Sequence, residues 1–402
     1  MIKHAVFSGL LSAGCQVVDV GVVATPSLTL MIEKLHADGG VMISASHNPV
    51  EWNALKFFNS RGLYLNEKES RELMDTADNR TLLRARWDGI PAVLGNGDAV
   101  ENHVMCVLRH VNVPLIKSKR FKVALDCVNG AGVDVALRLL AALGCEVHPI
   151  HCQPNGLFPH YPEPNFINLQ DLRQHSVDNN VDVGFALDPD ADRLALVDST
   201  GRFLGEEATL PICAKHVLKQ RKGSVVANMS TSRMTHDISN ASGVAFERVP
   251  VGEIFVAERM AANGAVIGGE GNGGVIDPRV HYGRDGIVGM ALVLEAMAVA
   301  SKSIATLADE LPRYHIIKSK FECSKLHCQS VLETMKADSR DARVDTQDGL
   351  RLDWPGRWVH LRPSNTEPFM RIIAEAETEN EAKRLIEDYS ERVEDVLELL
   401  RR

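Results

Sequence analysis

The 402-residue sequence predicts an α/β protein, with three similar mixed α/β domains followed by a smaller C-terminal α+β domain. Three observations predict it. Short β-branched and apolar runs alternate with helix-period stretches from Gln16 to about Ala300. A polar seam, Ile116 to Arg120, precedes a fresh strand from Phe121 to Asp126. From Leu311 the pattern changes to strands (Ile316 to Phe321, Arg357 to Leu361), then a long amphipathic helix. That helix carries Ala382, Leu385, Ile386, Tyr389, Val393, Leu397 and Leu400. The expected domains are 1–115, 116–206, 207–310 and 311–402.

The first domain opens in a helix with Val6, Phe7, Leu10 and Leu11 on one face, then a strand from Gln16 to Gly21 and a helix near Ser27 to Leu35. The apolar run Gly40-Val41-Met42-Ile43 then feeds into a segment holding Ser46, His47, Pro49 and Lys56. Proline cannot donate to a ladder and biases Asn48 away from helix, so the chain leaves its strand here. Ser46 is thereby set on an exposed strand-to-loop corner, where a reactive hydroxyl is useful. Adjacency alone does not make His47 its base, because neighbouring side chains on a strand point to opposite faces.

In the second domain the turn Asn129-Gly130-Ala131-Gly132 opens a helix through Leu143, either a phosphate-accepting helix start or a tight turn. Further on, apolar residues flank DPDADR on both sides, which reads as two buried strands joined by an acidic corner. Asp188, Asp190 and Asp192 alternate, so three carboxylates can converge. Hard oxygen donors in that number suit Mg²⁺, and a cation relieves their repulsion. Arg193 adds a planar fork for phosphate or carboxylate. The twelve-residue calcium loop with its closing Glu is absent.

The third domain starts with a helix (Ala208 to Leu218) and a strand (Val225 to Met229), and ends in a helix from about Asp285 to Ala300. Between them, VIGGEGNGGVI places five glycines after a strand and leaves Glu270 and Asn272 to read a ligand. Its spacing does not fit a dinucleotide fingerprint, and Glu with Asn suits sugar hydroxyls better than phosphate. In the last domain Arg362, Ser364, Asn365, Thr366 and Arg371 gather hydroxyl, amide and guanidinium donors around two prolines, as a phosphate site requires.

Net charge of −9 argues against nucleic-acid binding, and no apolar run reaches the length of a membrane span. The first residues do not read as a signal peptide. Eight cysteines without a CxxC pair point to a reducing, cytoplasmic setting and no structural zinc.

Taken in chain order, these four motifs resemble the α-D-phosphohexomutase superfamily, which includes phosphoglucomutase/phosphomannomutase and phosphoglucosamine mutase. The resemblance runs over essentially the whole chain. It implies four domains around a central cleft, with Ser46 carrying a phosphoryl group in the resting enzyme. It implies Mg²⁺ held by Asp188, Asp190, Asp192 and a phosphoserine oxygen of Ser46, and acid/base help from His47, Lys56 or Arg193. Lys56 would need a lowered pKa to act as a base. The substrate implied is a hexose phosphate, passing through a sugar 1,6-bisphosphate that also serves as activator, on a monomer or homodimer.

Two departures stand out. Asn272 and Gly274 replace the serine and histidine of the sugar loop GExSGH. The resulting GEGNGG looks like archaeal-type phosphoglucosamine mutases and favours glucosamine 6-phosphate over glucose or mannose phosphates. His281 is either a substitute for the missing histidine or a loop residue. The family also has a strand, a Gly-rich turn with arginine and another strand before the first helix, about forty residues that are expected to be missing from the first domain. Two readings of other classes are a metal-dependent phosphatase with Asp188 as nucleophile and an inactive phosphosugar binder.

Overall fold

A computed structural model describes residues 1–79, 84–339, 341–364 and 368–401, so Asn365 and Thr366 lie outside the described residues. The second unit is a four-stranded sheet in the spatial order Glu146–Ile150, Lys122–Asp126, Val183–Leu187, Leu194–Asp198. The first three strands run parallel and the last is antiparallel. Helices Val133–Ala142 and Gln170–Asp178 pack against this sheet, which explains its uninterrupted apolar runs. The third unit repeats the plan with Phe246–Val249, Val225–Asn228, Ile267–Glu270 and Gly274–Ile276. In both units the closing antiparallel hairpin turns through a predicted functional loop, at residues 188–193 and 271–273. Loops at the carboxyl ends of parallel strands are where such sheets bind ligands.

The first unit differs. Gly39–Ile43 pairs antiparallel with Leu55–Asn59, and Val18–Asp19 pairs parallel with Leu94–Gly95, but the two pairs do not join among the described residues. A cavity of about 1450 Å³ borders both, lined by Phe7, Leu10, Leu28 and Met42 among others. The helix Ile2–Ser12 beside it buries no residue fully.

Helix Gly286–Ala300 runs through the middle of the molecule. It is apolar all round because it is buried all round, against helices Ala99–Leu108, Val113–Lys119, Val133–Ala142 and Thr209–Gln220. Its one charge, Glu295, accepts from His216 Nε2 and from the Asn112 N–H, each at 2.7 Å. No helix among the described residues is long and apolar enough to cross a membrane. The stretch expected as a polar seam is instead part of helix Val113–Lys119. The Asn112 side chain caps it by accepting from Leu115 N, Pro114 sits in its first turn, and Ile116 is fully buried.

The fourth unit is a five-stranded antiparallel sheet in the order His315–Glu322, Phe369–Ala376, Arg357–Pro363, Leu350–Trp354, Arg343–Asp345. Helices Lys325–Asp338 and Glu379–Arg401 cover it around a separate core that includes Val331, Leu361, Ile372 and Val393. Strand Leu350–Trp354 escapes sequence reading because it buries a charge. Arg351 stacks 3.9 Å from the Trp358 ring centre and pairs with Asp353 at 2.8 Å. The unit is fastened to the third by Arg351 donating to the Met229 carbonyl, and by Arg233 N–H to Glu375 at 2.8 Å.

Candidate active site

Strand Gly39–Ile43 ends before Ser46, and Ser46 itself lies in a left-handed turn at φ 51°. A non-glycine residue there is uncommon and marks a constrained position. Strand alternation therefore does not apply, contrary to the sequence expectation. His47 Nδ1 comes within 3.3 Å of Ser46 Oγ, and Ser46 Oγ donates to Asp188 Oδ2 at 2.9 Å.

The acidic corner is buried. Asp188, Asp190 and Asp192 are at most 2% exposed, and one oxygen from each falls within 4.8 Å of the others. Burial, with Asp192 and Asp190 close by, pushes the Asp188 carboxyl well above the usual range. Burial opposes ionisation of Asp190 too, but Lys56 at 2.5 Å and Thr25 Oγ1 at 2.5 Å hold it below that range. Asp190 Oδ1 and Asp192 Oδ1 are buried with no hydrogen-bond partner among the described residues. Oxygens without hydrogen bonds on crowded, desolvated carboxylates fit a hard divalent cation.

Burial favours a lower pKa for Lys56, but the charges of Asp190 and Asp192 outweigh it and raise the value. Lys56 is thus a held cation, not the base with a depressed pKa that the sequence allowed. His47 is driven down to about 3, first by burial and then by the charges of Arg193 and Arg284, and is neutral near pH 7. The Arg193 backbone N–H donates to Asp188 Oδ1 at 3.1 Å, while its buried Nε lies 3.8 Å from Asp192 Oδ1 with no hydrogen bond among the described residues.

The turn 129–132 packs on this corner instead of opening an anion site. Ala131 N–H donates to the Pro189 carbonyl at 2.7 Å, and a Cβ on Gly130 would stand 2.4 Å from that oxygen.

The glycine loop meets the corner directly, with Leu194 N–H donating to the Gly273 carbonyl at 3.1 Å. Glu270 is held by Asn228 Nδ2 at 2.7 Å and Gly252 N–H at 3.1 Å, and Asn272 Nδ2 donates to it at 3.3 Å. Arg284, not identified from sequence, joins the parts. It donates to Asp192 at 2.6 Å, Glu270 at 2.6 Å and Glu253 at 2.8 Å. The adjacent Asp285 caps helix Gly286–Ala300 through Ile287 N and Val288 N and binds His103 Nε2 (2.7 Å) and His281 Nε2 (3.0 Å). His281 is therefore a buried brace of the helix start, with Gly283 N–H donating to its Nδ1.

In the fourth unit, Arg362 and Arg371 are direct cross-strand partners on one face. Arg362 Nε donates to Asp348 at 2.7 Å, and Asp348 in turn accepts from Val251 N–H at 2.9 Å. Through Val251 and Gly252 this leads back to Glu270. Arg371 is exposed and makes no ion pair among the described residues. Ser364 N–H closes the loop on the Phe369 carbonyl at 2.7 Å.

Family models match in four consecutive pieces: phosphoglucomutase/phosphomannomutase α/β/α domain I over residues 1–84, domain II over 101–201, domain III over 206–314 and the C-terminal domain over 317–392. A phosphoglucomutase/phosphomannomutase of Thermococcus kodakarensis is 36% identical over 390 residues, 96% of this chain and 85% of the relative. A protein of Methanopyrus kandleri named "Probable phosphoglucosamine mutase" is 34% identical over 404 residues, covering 100% and 88%. The crystal structure of a phosphoglucomutase/phosphomannomutase family protein from Burkholderia thailandensis superposes with a TM-score of 0.85 at 25% identity, covering 98% and 86%. These matches define an enzyme of the isomerase class, an intramolecular phosphotransferase. The chain belongs to the phosphoglucomutase/phosphomannomutase family.

Proposed function

We propose that this chain is a phosphoglucosamine mutase, interconverting glucosamine 6-phosphate and glucosamine 1-phosphate through phosphorylated Ser46 and a sugar 1,6-bisphosphate. The observation that carries the proposal is Ser46 Oγ lying 2.9 Å from Asp188 in a corner of three buried carboxylates, beside Lys56 and Arg193. The free sugar hydroxyl attacks the phosphorus on Ser46. A sugar O–P bond forms, the Ser46 Oγ–P bond breaks with its electron pair left on Oγ, and the hydroxyl proton passes to neutral His47, since Lys56 beside it is already a held cation. The bisphosphate turns end for end, Ser46 Oγ takes the other phosphoryl group, and the proton returns to the sugar oxygen.

Mg²⁺ bound by Asp188, Asp190, Asp192 and a phosphoserine oxygen would neutralise charge on the phosphoryl group in transfer. Arg193, whose buried Nε makes no hydrogen bond among the described residues, would offer it to an anionic oxygen. Glu270 and Asn272 would accept from and donate to the sugar's hydroxyl and amino groups. Arg362, Ser364 and Arg371, with Asn365 and Thr366 of the same loop, would grip the distal phosphate in either orientation. Relatives named "Probable phosphoglucosamine mutase" support the amino sugar, and the Thermococcus relative keeps glucose and mannose phosphates as the second reading. A coupled assay on glucosamine, glucose and mannose phosphates, with and without catalytic sugar bisphosphate, tests both. Turnover of the neutral sugars alone would remove the amino-sugar assignment, and turnover of none would remove the mutase reading of this chain.

A further inference from the structure

On the second unit, on the same sheet edge as the acidic corner, the carboxyl ends of two parallel strands bring together Asp126, His151 and His160. We propose that these three side chains form a binding site for a divalent transition metal of the zinc class, which pins the connection 151–169 onto the sheet.

Asp126 Oδ2 lies 3.0 Å from His151 Nδ1 and 3.1 Å from His160 Nε2. Ligand atoms on a tetrahedral ion with bonds of ~2.0–2.1 Å stand about 3.3 Å apart, so the spacing is already close to that of a coordination shell. The two imidazole rings meet at 63° with centres 5.2 Å apart, converging rather than stacking.

Proton placement points the same way. His160 Nδ1 is 2.8 Å from the Tyr161 carbonyl, which can only accept, so Nδ1 carries the hydrogen. Burial opposes a charged ring, but Asp126 outweighs it and favours a proton on Nε2, so a cation would bind there by displacing that proton, leaving Nε2 a lone pair beside the carboxylate oxygen. His151 Nδ1 faces the same Asp126 oxygen, while its Nε2 lies 3.6 Å from Asp171 Oδ2, beyond hydrogen-bond distance. His160 thus has its outer nitrogen on a carbonyl and its inner nitrogen on the shared centre, the arrangement that orients metal-binding histidines. The Asp126 carboxylate is fixed through its other oxygen by Val128 N–H at 2.8 Å. Two imidazoles and a carboxylate select zinc-class ions over Mg²⁺ and leave a fourth position open.

The site has access and a purpose. Asp126 is buried, while the His151 and His160 side chains are 16% and 14% exposed. The connection from Ile150 to Gln170 contains no helix or strand, an unusual length of irregular chain for a compact unit. His160 sits within it, and a metal there would tie it to the end of strand Lys122–Asp126.

The test uses the full chain in excess Mg²⁺, so that the acidic corner does not compete for the probe, with Co²⁺ as spectroscopic probe and Zn²⁺ as competitor. One equivalent of Co²⁺ with an intense tetrahedral visible band, displaced by Zn²⁺, is expected. His160→Gln should weaken Zn²⁺ binding by about 100-fold or more. His151→Gln, which removes the other imidazole, should weaken it by a similar factor. Absence of the band in the unaltered chain overturns the site and leaves a proton-linked Asp–His cluster. So does Zn²⁺ affinity unchanged in both variants.

Discussion

Arg284 donates to carboxylates from three separate segments, Asp192, Glu253 and Glu270, and is almost wholly buried among them. Removing one partner of a buried charge cluster leaves the others uncompensated, which costs about 3–5 kcal/mol. Arg284→Met is therefore expected to lower stability by that order and to abolish turnover, read by urea unfolding and the coupled assay. Ser46→Ala is expected to fold as the parent does and to lose activity by a factor on the order of 10⁴ or more. A variant retaining most of its rate would move the nucleophile elsewhere. Ser46 and the three aspartates were legible in sequence because residue type and close spacing carry their chemistry. Arg284 was not, since its partners lie 14, 31 and 92 positions away and only the fold brings them to one guanidinium.

The glycine loop shows what an element needs from residues beneath it. A Cβ on Gly271 would stand 2.1 Å from a Glu207 carboxylate oxygen, so position 271 has room only for a residue with no side chain. Glu207 accepts from Ser232 N–H at 2.9 Å, and burial pushes its carboxyl up to about 8. The folded state then keeps a proton that the unfolded chain releases in the ordinary glutamate range. The associated stability is full below that range and is lost as pH rises through about 8. Glu207→Gln should flatten this decline and be the more stable protein at pH 8, by an amount on the order of 1–4 kcal/mol, measured as unfolding free energy against pH. A parallel decline in parent and variant would contradict the assignment. The loop's Glu270 and Asn272 were readable beforehand. Glu207, ahead of the loop by more than sixty positions, became meaningful only once the hairpin was packed on it.

Across the whole molecule the cleft is assembled from contacts between units. Ser27 and His103 of the first unit reach Asp285 of the third, Thr25 and Lys56 reach Asp190 of the second, and Asp348 of the fourth reaches Val251. The Arg362–Asp348–Val251 relay is the thinnest of these and holds the phosphate loop against the sugar loop. Asp348→Asn is expected to raise KM for the sugar phosphate by about 10-fold with a smaller change in kcat, as a loosened clamp should. Hydrogen exchange over residues 345–364 should rise in the same variant.

Strand-and-helix alternation made the α/β plan and the antiparallel tail readable. The helix Val113–Lys119 was misread because its one fully buried residue, Ile116, is hidden among lysines. The unjoined sheets of the first unit concern pairing between distant segments, which local pattern does not encode. Ser46 as the phosphoryl carrier is tested most directly by peptide-level mass spectrometry after exposure to a sugar 1,6-bisphosphate with Mg²⁺. That role predicts one added phosphoryl group on Ser46 that is absent from Ser46→Ala. A phosphoryl group on Asp188, or none on Ser46, would contradict it.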